Sequence, residues 1–347
     1  MSVEASPLPA LLPDPSEEVQ RGSSHGALRF VARRVLAGVL TLIAVSLVTF
    51  AALQLLPGNV ASIVLGRAAT PHAVALLDHR LHLDTPFFER FVHWMGGAVH
   101  GDFGDSTLAL AQGLPNPKIS SLISQPLTNT LILAGLTIAL LIPLSILLGV
   151  LSAKYADRLP DHVISVLTLI FTSLPEFVVG SILILIFFSA MNLLPPVTLV
   201  PTGSSPFDHP DALIMPVATL LLTSLAWTTR LVRVGMLEVL RSDFIRAERL
   251  NGLPERRVVW RDAVRNGLAP SIQVFALSIQ YLVGGVIVTE TVFSYPGLGT
   301  QLVSAVLGRD VTEVQAITVI VAAAYIAINI FADLLVVYLV PKLRTAL

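Results

Sequence analysis

Six long apolar runs separated by polar stretches dominate the chain, at residues 35–56, 127–153, 163–190, 213–229, 268–288 and 316–340. Crossing the hydrocarbon core of a bilayer as a helix takes about 20 apolar residues, and each run is close to that length or longer. A helix closes its own backbone hydrogen bonds within lipid. Strands that cross a membrane run to about 10 residues with alternating polarity, which these runs do not show. The pattern predicts an all-α polytopic membrane protein with six transmembrane helices.

Composition supports the same solvent. Hydrophobic residues make up 54% of the 347 positions and charged residues only 13%, against about 25% charged in a soluble domain. Mean hydropathy is +0.78. Cysteine is absent, which excludes disulfides and thiolate chemistry. Residues 1–28, rich in Pro, Ser and Gly, hold no apolar run and read as a disordered cytoplasmic tail. Gly22-Ser23-Ser24-His25-Gly26 fits the pattern of a hydrolase nucleophile elbow. That motif needs a strand before it and a helix after it, so it is set aside as a chance match.

The net charge of −1 hides a sharp segregation. With the N-terminus inside, 17 of the 22 Lys and Arg residues fall on inner segments. The five on outer segments are Arg67, Arg80, Arg90, Lys118 and Arg309. The positive-inside rule then places both termini in the cytoplasm. Residues 29–126 form the first span and a sizeable external segment, 127–341 a core of five spans, and 342–347 a cytoplasmic end. Within the external segment, residues 86–99 put Phe87, Phe91 and Trp94 or Met95 on one helical stripe. Such a helix lies on the outer leaflet or against the other spans.

The longest inner loop, 230–267, holds nine Arg and no Lys, against Glu238, Asp243, Glu248, Glu255 and Asp262. Positive-inside bias needs positive charge of either kind, so the exclusive use of the planar, bidentate guanidinium asks for another cause. Two short helices are expected. Phe244, Ala247 and Leu250 share one broad face of the first, and Gly252 ends it. Pro254 and Glu255 suit the first turn of the second, which carries the apolar stripe Val259, Trp260, Ala263 and Val264 before Pro270 opens span five. This elbow suits docking into a cytoplasmic partner; the plainer reading is an amphipathic pair held on anionic lipid.

The string Phe244-Ile245-Arg246-Ala247-Glu248-Arg249-Leu250-Asn251-Gly252-Leu253-Pro254-Glu255, followed by Arg265-Asn266-Gly267-Leu268-Ala269-Pro270, resembles the "EAA" loop of ABC importer permeases. These are the inner-membrane components of binding-protein-dependent transport systems, and the form here is that of the dipeptide/oligopeptide/nickel branch. Further matching strings are Leu56-Pro57-Gly58-Asn59, Leu81-His82-Leu83-Asp84-Thr85-Pro86, Gly101-Asp102-Phe103-Gly104-Asp105-Ser106, Ser173-Leu174-Pro175, Glu290-Thr291-Val292-Phe293-Ser294-Tyr295-Pro296-Gly297-Leu298-Gly299, and Asn329, Asp333 and Pro341. The long external segment favours the first, B-type, of the branch's two permeases.

The resemblance implies a type I importer permease fold and a coupling helix that docks on an ATPase, with Phe244, Arg246, Ala247, Glu248, Leu250, Gly252 and Leu253 as coupling residues. Glu248, Leu250 and Asn251 depart from the family's usual small residue and Ala-Lys pair. Implied partners are a second homologous permease, two cytoplasmic ABC ATPases that bind ATP and Mg, an external substrate-binding protein and membrane lipid, with no nucleic acid. The chain itself binds no cofactor and no metal. Peptides are the expected substrate, and nickel chelates, glutathione or haem remain open within the branch.

Polar residues inside the apolar runs are costly and ask for a role. Glu176, in the third run beside the helix-breaking Pro175, is a pathway candidate, as are Gln280, Tyr281 and Glu290 around the fifth. Glu290 leads into the turn Tyr295-Pro296-Gly297, near the outer mouth in the family resembled. Asn329 and Asp333, four residues apart on one face of the sixth run, suit interhelical hydrogen bonds. No Gly-Lys pair occurs, so the chain has no P-loop of its own. An intramembrane enzyme using Glu176 or Asp333 lacks a convergent second group, and a proton-coupled secondary transporter lacks an apparent inverted repeat.

Overall fold

A computed structural model describes residues 23–54, 60–66, 69–80, 85–114, 118–198, 200–201 and 203–339. Residues 1–22, Leu56-Pro57-Gly58-Asn59, Leu81-His82-Leu83-Asp84, Pro341 and 342–347 lie outside the described residues. Among those described the chain is helical, with no strand beyond one isolated bridge between Asp105 and Lys118.

Among the described residues five helices are long and apolar enough to span a membrane: α1 (Ser23–Gln54), α6 (Ile119–Lys154), α9 (Pro210–Leu240), α12 (Val264–Val292) and α14 (Val311–Leu339). Short helices α2 (Val60–Leu65), α3 (Pro71–Arg80), α4 (Phe87–Val99) and α5 (Thr107–Ala111) fill the segment between α1 and α6. The predicted third span is not one rod. It divides at Leu174-Pro175 into α7 (Leu159–Ser173) and an arm of α8 (Glu176–Leu183) continued by a π turn (Ile184–Ala190), and the path bends by 107° between the arms. Proline forces the residue before it out of the helical region, and Leu174 accordingly has extended backbone (φ −102°, ψ 130°). Counted as one span, the bent pair brings the total to six.

The bundle is layered around α9, which packs between α6 and α12. In its most apolar window 67% of residues are buried, against 11% for α1. Its hydroxyls permit this burial by bonding within the helix: Thr219 donates to the Met215 carbonyl at 2.9 Å and Thr228 to that of Ser224 at 2.7 Å. A small residue brings α6 close, because a Cβ on Gly149 would lie 2.6 Å from Val232 Cγ1. At the periphery α1 packs chiefly on α14, with Gly38 against Ile326.

The amphipathic external helix seen in the sequence is α4. Its stripe turns towards α1: the rings of Phe87 and Phe91 meet Phe50 edge-on at 5.2 and 5.5 Å, and Trp94 Nε1 donates to the Phe103 carbonyl at 3.3 Å.

Three boundaries move. Helix α1 begins at Ser23, inside the stretch 1–28 expected to be a disordered tail. The loop predicted at 230–267 is mostly helix, because α9 continues to Leu240 and α12 begins at Val264. Pro270 therefore lies inside α12 rather than at its start.

Candidate functional site: the elbow between α9 and α12 and the polar spans

Between α9 and α12 stands α10 (Asp243–Leu250), followed by a tight turn and a single helical turn, α11 (Glu255–Arg257). The expected second helix is not a separate element. A π turn (Val258–Ala263) carries α11 directly into α12. The wider π turn puts Val258, Val259 and Ala263 all on the buried side, while Trp260 is left 38% exposed.

The turn after α10 is a Schellman closure. Leu253 N–H donates to the Glu248 carbonyl at 3.3 Å and Gly252 N–H to that of Arg249 at 3.0 Å, which satisfies carbonyls that the helix end would orphan. Gly252 sits at φ +77° with nothing within 4 Å of a would-be Cβ. Glycine is needed there for its backbone, not for space. Across the turn Arg249 forks onto Glu255, with Nη2–Oε1 at 2.8 Å and Nε–Oε2 at 3.2 Å. Both side chains are nearly half exposed, so the pair fixes geometry more than it adds stability.

One side of α10 is anchored and the other bare. Ile245 is fully buried in a cluster with Val150, Val232, Met236, Val258 and Val259, against which Leu253 packs. Phe244 is 51% exposed and Leu250 83%, and Arg246, Ala247 and Arg249 are exposed or partly exposed beside them. Phe244 also edges a groove of about 730 Å³ lined by Gly235, Glu238, Val239, Ser242 and Asn266. Glu248 is only partly exposed, and its Oε2 atom is buried without a hydrogen-bond partner.

Sequence reasoning missed the seat beneath this elbow. Asp161, at the start of α7, is buried and accepts from Arg233 of α9 through Nε at 2.7 Å and Nη2 at 2.6 Å. Ser152 Oγ and the Asp157 N–H (2.9 Å) complete its shell. In the sequence Arg233 is one of nine loop arginines. The signal was its helical register, one position after Val232 and three before Met236, both fully buried.

The polar candidates within the spans separate into three places. Glu176 starts α8 at the bend, half-buried, with its Oε1 3.4 Å from where a Cβ on Gly285 would stand, and the exposed Tyr281 lies one turn before Gly285 on α12. Gln280, the neighbour of Tyr281 in sequence, faces elsewhere and donates to Asn329 Oδ1 of α14. Asp333, one turn further along α14, pairs with Arg34 of α1 at 3.1 Å.

Glu290 is fully buried. It accepts from Thr130 Oγ1 at 2.6 Å and the Gly299 N–H at 2.6 Å, holding the turn before α13 (Leu298–Leu307) against α6. Tyr295 adds a bond from its hydroxyl to the Asn129 carbonyl at 2.7 Å. Burial, and after it the Glu290 carboxylate, push the Tyr295 phenol well above its ordinary pKa, so it stays a donor. Glu290 thus sits in a sealed anchor rather than on an open surface.

Residues 145–345 match the family described as the binding-protein-dependent transport system inner membrane component, and residues 27–112 match its N-terminal region. This chain belongs to that family. The family is that of the permease subunits of ABC importers, multi-pass proteins of the inner membrane. Among its relatives, the oligopeptide transport system permease protein of Bacillus subtilis is 32% identical over 317 residues. The di/tripeptide transport system permease protein of Pseudomonas aeruginosa is 34% identical over 338 residues. The glutathione transport system permease protein of an Escherichia coli strain is 31% identical over 317 residues. Each alignment covers 91% of this chain and 99% of the relative.

Proposed function

We propose that this permease carries di- or oligopeptides inward, forming the pathway with a second homologous permease. An external binding protein delivers the peptide, and two cytoplasmic ABC ATPases, which bind the ATP and Mg, drive the cycle. The chain itself performs no bond chemistry and contributes two-state geometry biased at both faces. The names of the oligopeptide and di/tripeptide relatives support the peptide assignment. Both termini lie in the cytoplasm, as the distribution of Lys and Arg favours.

The observation that carries the coupling role is the two-sided build of α10. A helix locked below by Ile245 and Leu253 offers Phe244, Leu250 and Arg246 to solvent on the outside. Exposed apolar side chains interleaved with arginines suit the core and rim of a protein interface. Because one face is locked into the core beneath α6 and α9, displacement of α10 by a moving ATPase is transmitted to those spans. Glu248 is partly exposed on this helix, and its carboxylate suits a lysine or arginine of the ATPase.

Gly252→Pro asks for φ near −65° where the chain has +77°, and Arg246→Glu inverts an exposed charge. Both variants should reach the membrane, lose peptide uptake and fail to co-purify the ATPase. Uptake and ATPase capture that survive both changes would sink the coupling role of α10.

A further inference from the structure

The bend in the third span brings an acid to a place where little in this chain answers it. Glu176 opens α8 between two apolar arms, and the positive end of a helix favours a carboxylate there. On the facing helix α12, Tyr281 stands one turn before Gly285, on the same side. Gly285 of α12 leaves Glu176 room, since a Cβ there would already stand 3.4 Å from Oε1. Among the described residues Glu176 enters no ion pair. A carboxylate among apolar neighbours is costly unless a cation or a water-filled cavity faces it.

Apolar and aromatic side chains stand next to Glu176 in sequence and on the facing helix. Phe177, Leu277 and Tyr281 are each about half exposed, and the neighbouring Gly284 has nothing within 4 Å of a Cβ. One acid, one phenol and apolar side chains form a site that reads a single positive charge and is indifferent to the rest of the molecule bearing it. The group shared by peptides of every sequence is the N-terminal ammonium. Tyr281 can serve that cation through its ring face as well.

We propose that Glu176, with Tyr281 on the facing helix, binds the α-ammonium group of the peptide during its passage, so that the bent span is a point of substrate recognition inside the membrane. This rests on the reading of the chain as a peptide permease. The rival occupant is a basic side chain of the second permease, which would close the same site permanently.

The chain has no cysteine, so Phe177→Cys places one thiol of this subunit beside the site. In the assembled transporter, without the external binding protein, trialanine should slow maleimide labelling of this subunit at that thiol. N-acetyl-trialanine should not. Adding Glu176→Gln should abolish the protection, and Glu176→Asp should keep it. Uptake of trialanine in proteoliposomes should fall by at least about tenfold in Glu176→Gln, the loss of one charge-assisted hydrogen bond.

A thiol that never labels in the assembled complex overturns the proposal, as does equal protection by both peptides or protection indifferent to Glu176→Gln. Release of the second permease by Glu176→Gln also overturns it, in favour of the rival occupant. If the wild-type transporter carries no trialanine yet imports another substrate, the peptide reading falls and this inference with it. Uptake that persists undiminished in Glu176→Gln removes this inference alone.

Discussion

Helix α12 joins two turns built on opposite principles. At its outer end the turn from Phe293 to Gly299 is closed: Phe293, Tyr295 and Glu290 are fully buried. Its glycines are there because nothing else fits, since a Cβ on Gly297 would overlap the Glu290 carboxylate. At the inner end Gly252 stands in open space, Phe244 and Leu250 face solvent, and only Ile245 and its neighbours tie the elbow down. A closed turn has spent its interactions inside the chain and can only hold a shape. An open one, rigid in its backbone yet bare on its surface, is built to be held by something else. One turn is closed on the chain itself, and the other leaves its outer face bare.

The contrast is broken most severely at the seat of the elbow. Arg233→Ala leaves Asp161 buried without its cation and should cost about 3 kcal/mol or more, read as a large drop in the melting temperature of the detergent-purified protein. If the drop is negligible, the elbow has no rigid foundation and the transmission argument weakens with it.

The closed turn is tested next. Gly297→Ala drives a methyl group into the Glu290 carboxylate and unmakes its bonds to Thr130 and Gly299, for about 2 kcal/mol of overpacking. Thermal melting reports it, and no change would mean that the outer turn is looser than its contacts imply.

Gly252→Ala isolates the opposite case. No atom is displaced, so the loss is that of a left-handed backbone alone, about 1 kcal/mol. A cost as great as that at Gly297 would erase the distinction between the two glycines.

Leu250→Ala should change stability least, within about 0.5 kcal/mol, yet weaken capture of the ATPase. Pull-down from membranes alongside a melting curve separates the two effects. A stability loss with unaltered capture would place Leu250 in the core rather than at the interface.

Much of this was legible in the residues themselves. Apolar runs of bilayer length fix the number of spans because the solvent admits few alternatives, and Pro175 marks a natural kink because it removes a backbone donor. Gly252 announces the end of α10 by the same logic of backbone geometry. What escaped depends on partners distant in sequence. Asp161 and Arg233 lie 72 residues apart, and neither looks different from its charged neighbours until α6, α7 and α9 are packed. Glu290 looked like a mouth residue because it ends a span beside a turn. Only the fold of residues 293–299 back over it, against Thr130, shows that it faces inward.

The sequence by itself settled the solvent, the helical class, the kink at Pro175 and the family, since each comes from local length, hydropathy or an ordered motif. Tertiary structure alone decided which polar groups are satisfied. Gln280 turns to Asn329 while Tyr281, adjacent in the chain, stays half exposed, because successive helical residues point about 100° apart and each meets different surroundings. It also decided that the elbow is one short helix set on the core, with the second continuous with α12, because a π turn at Val258–Ala263 lets the apolar face stay buried without interrupting the helix.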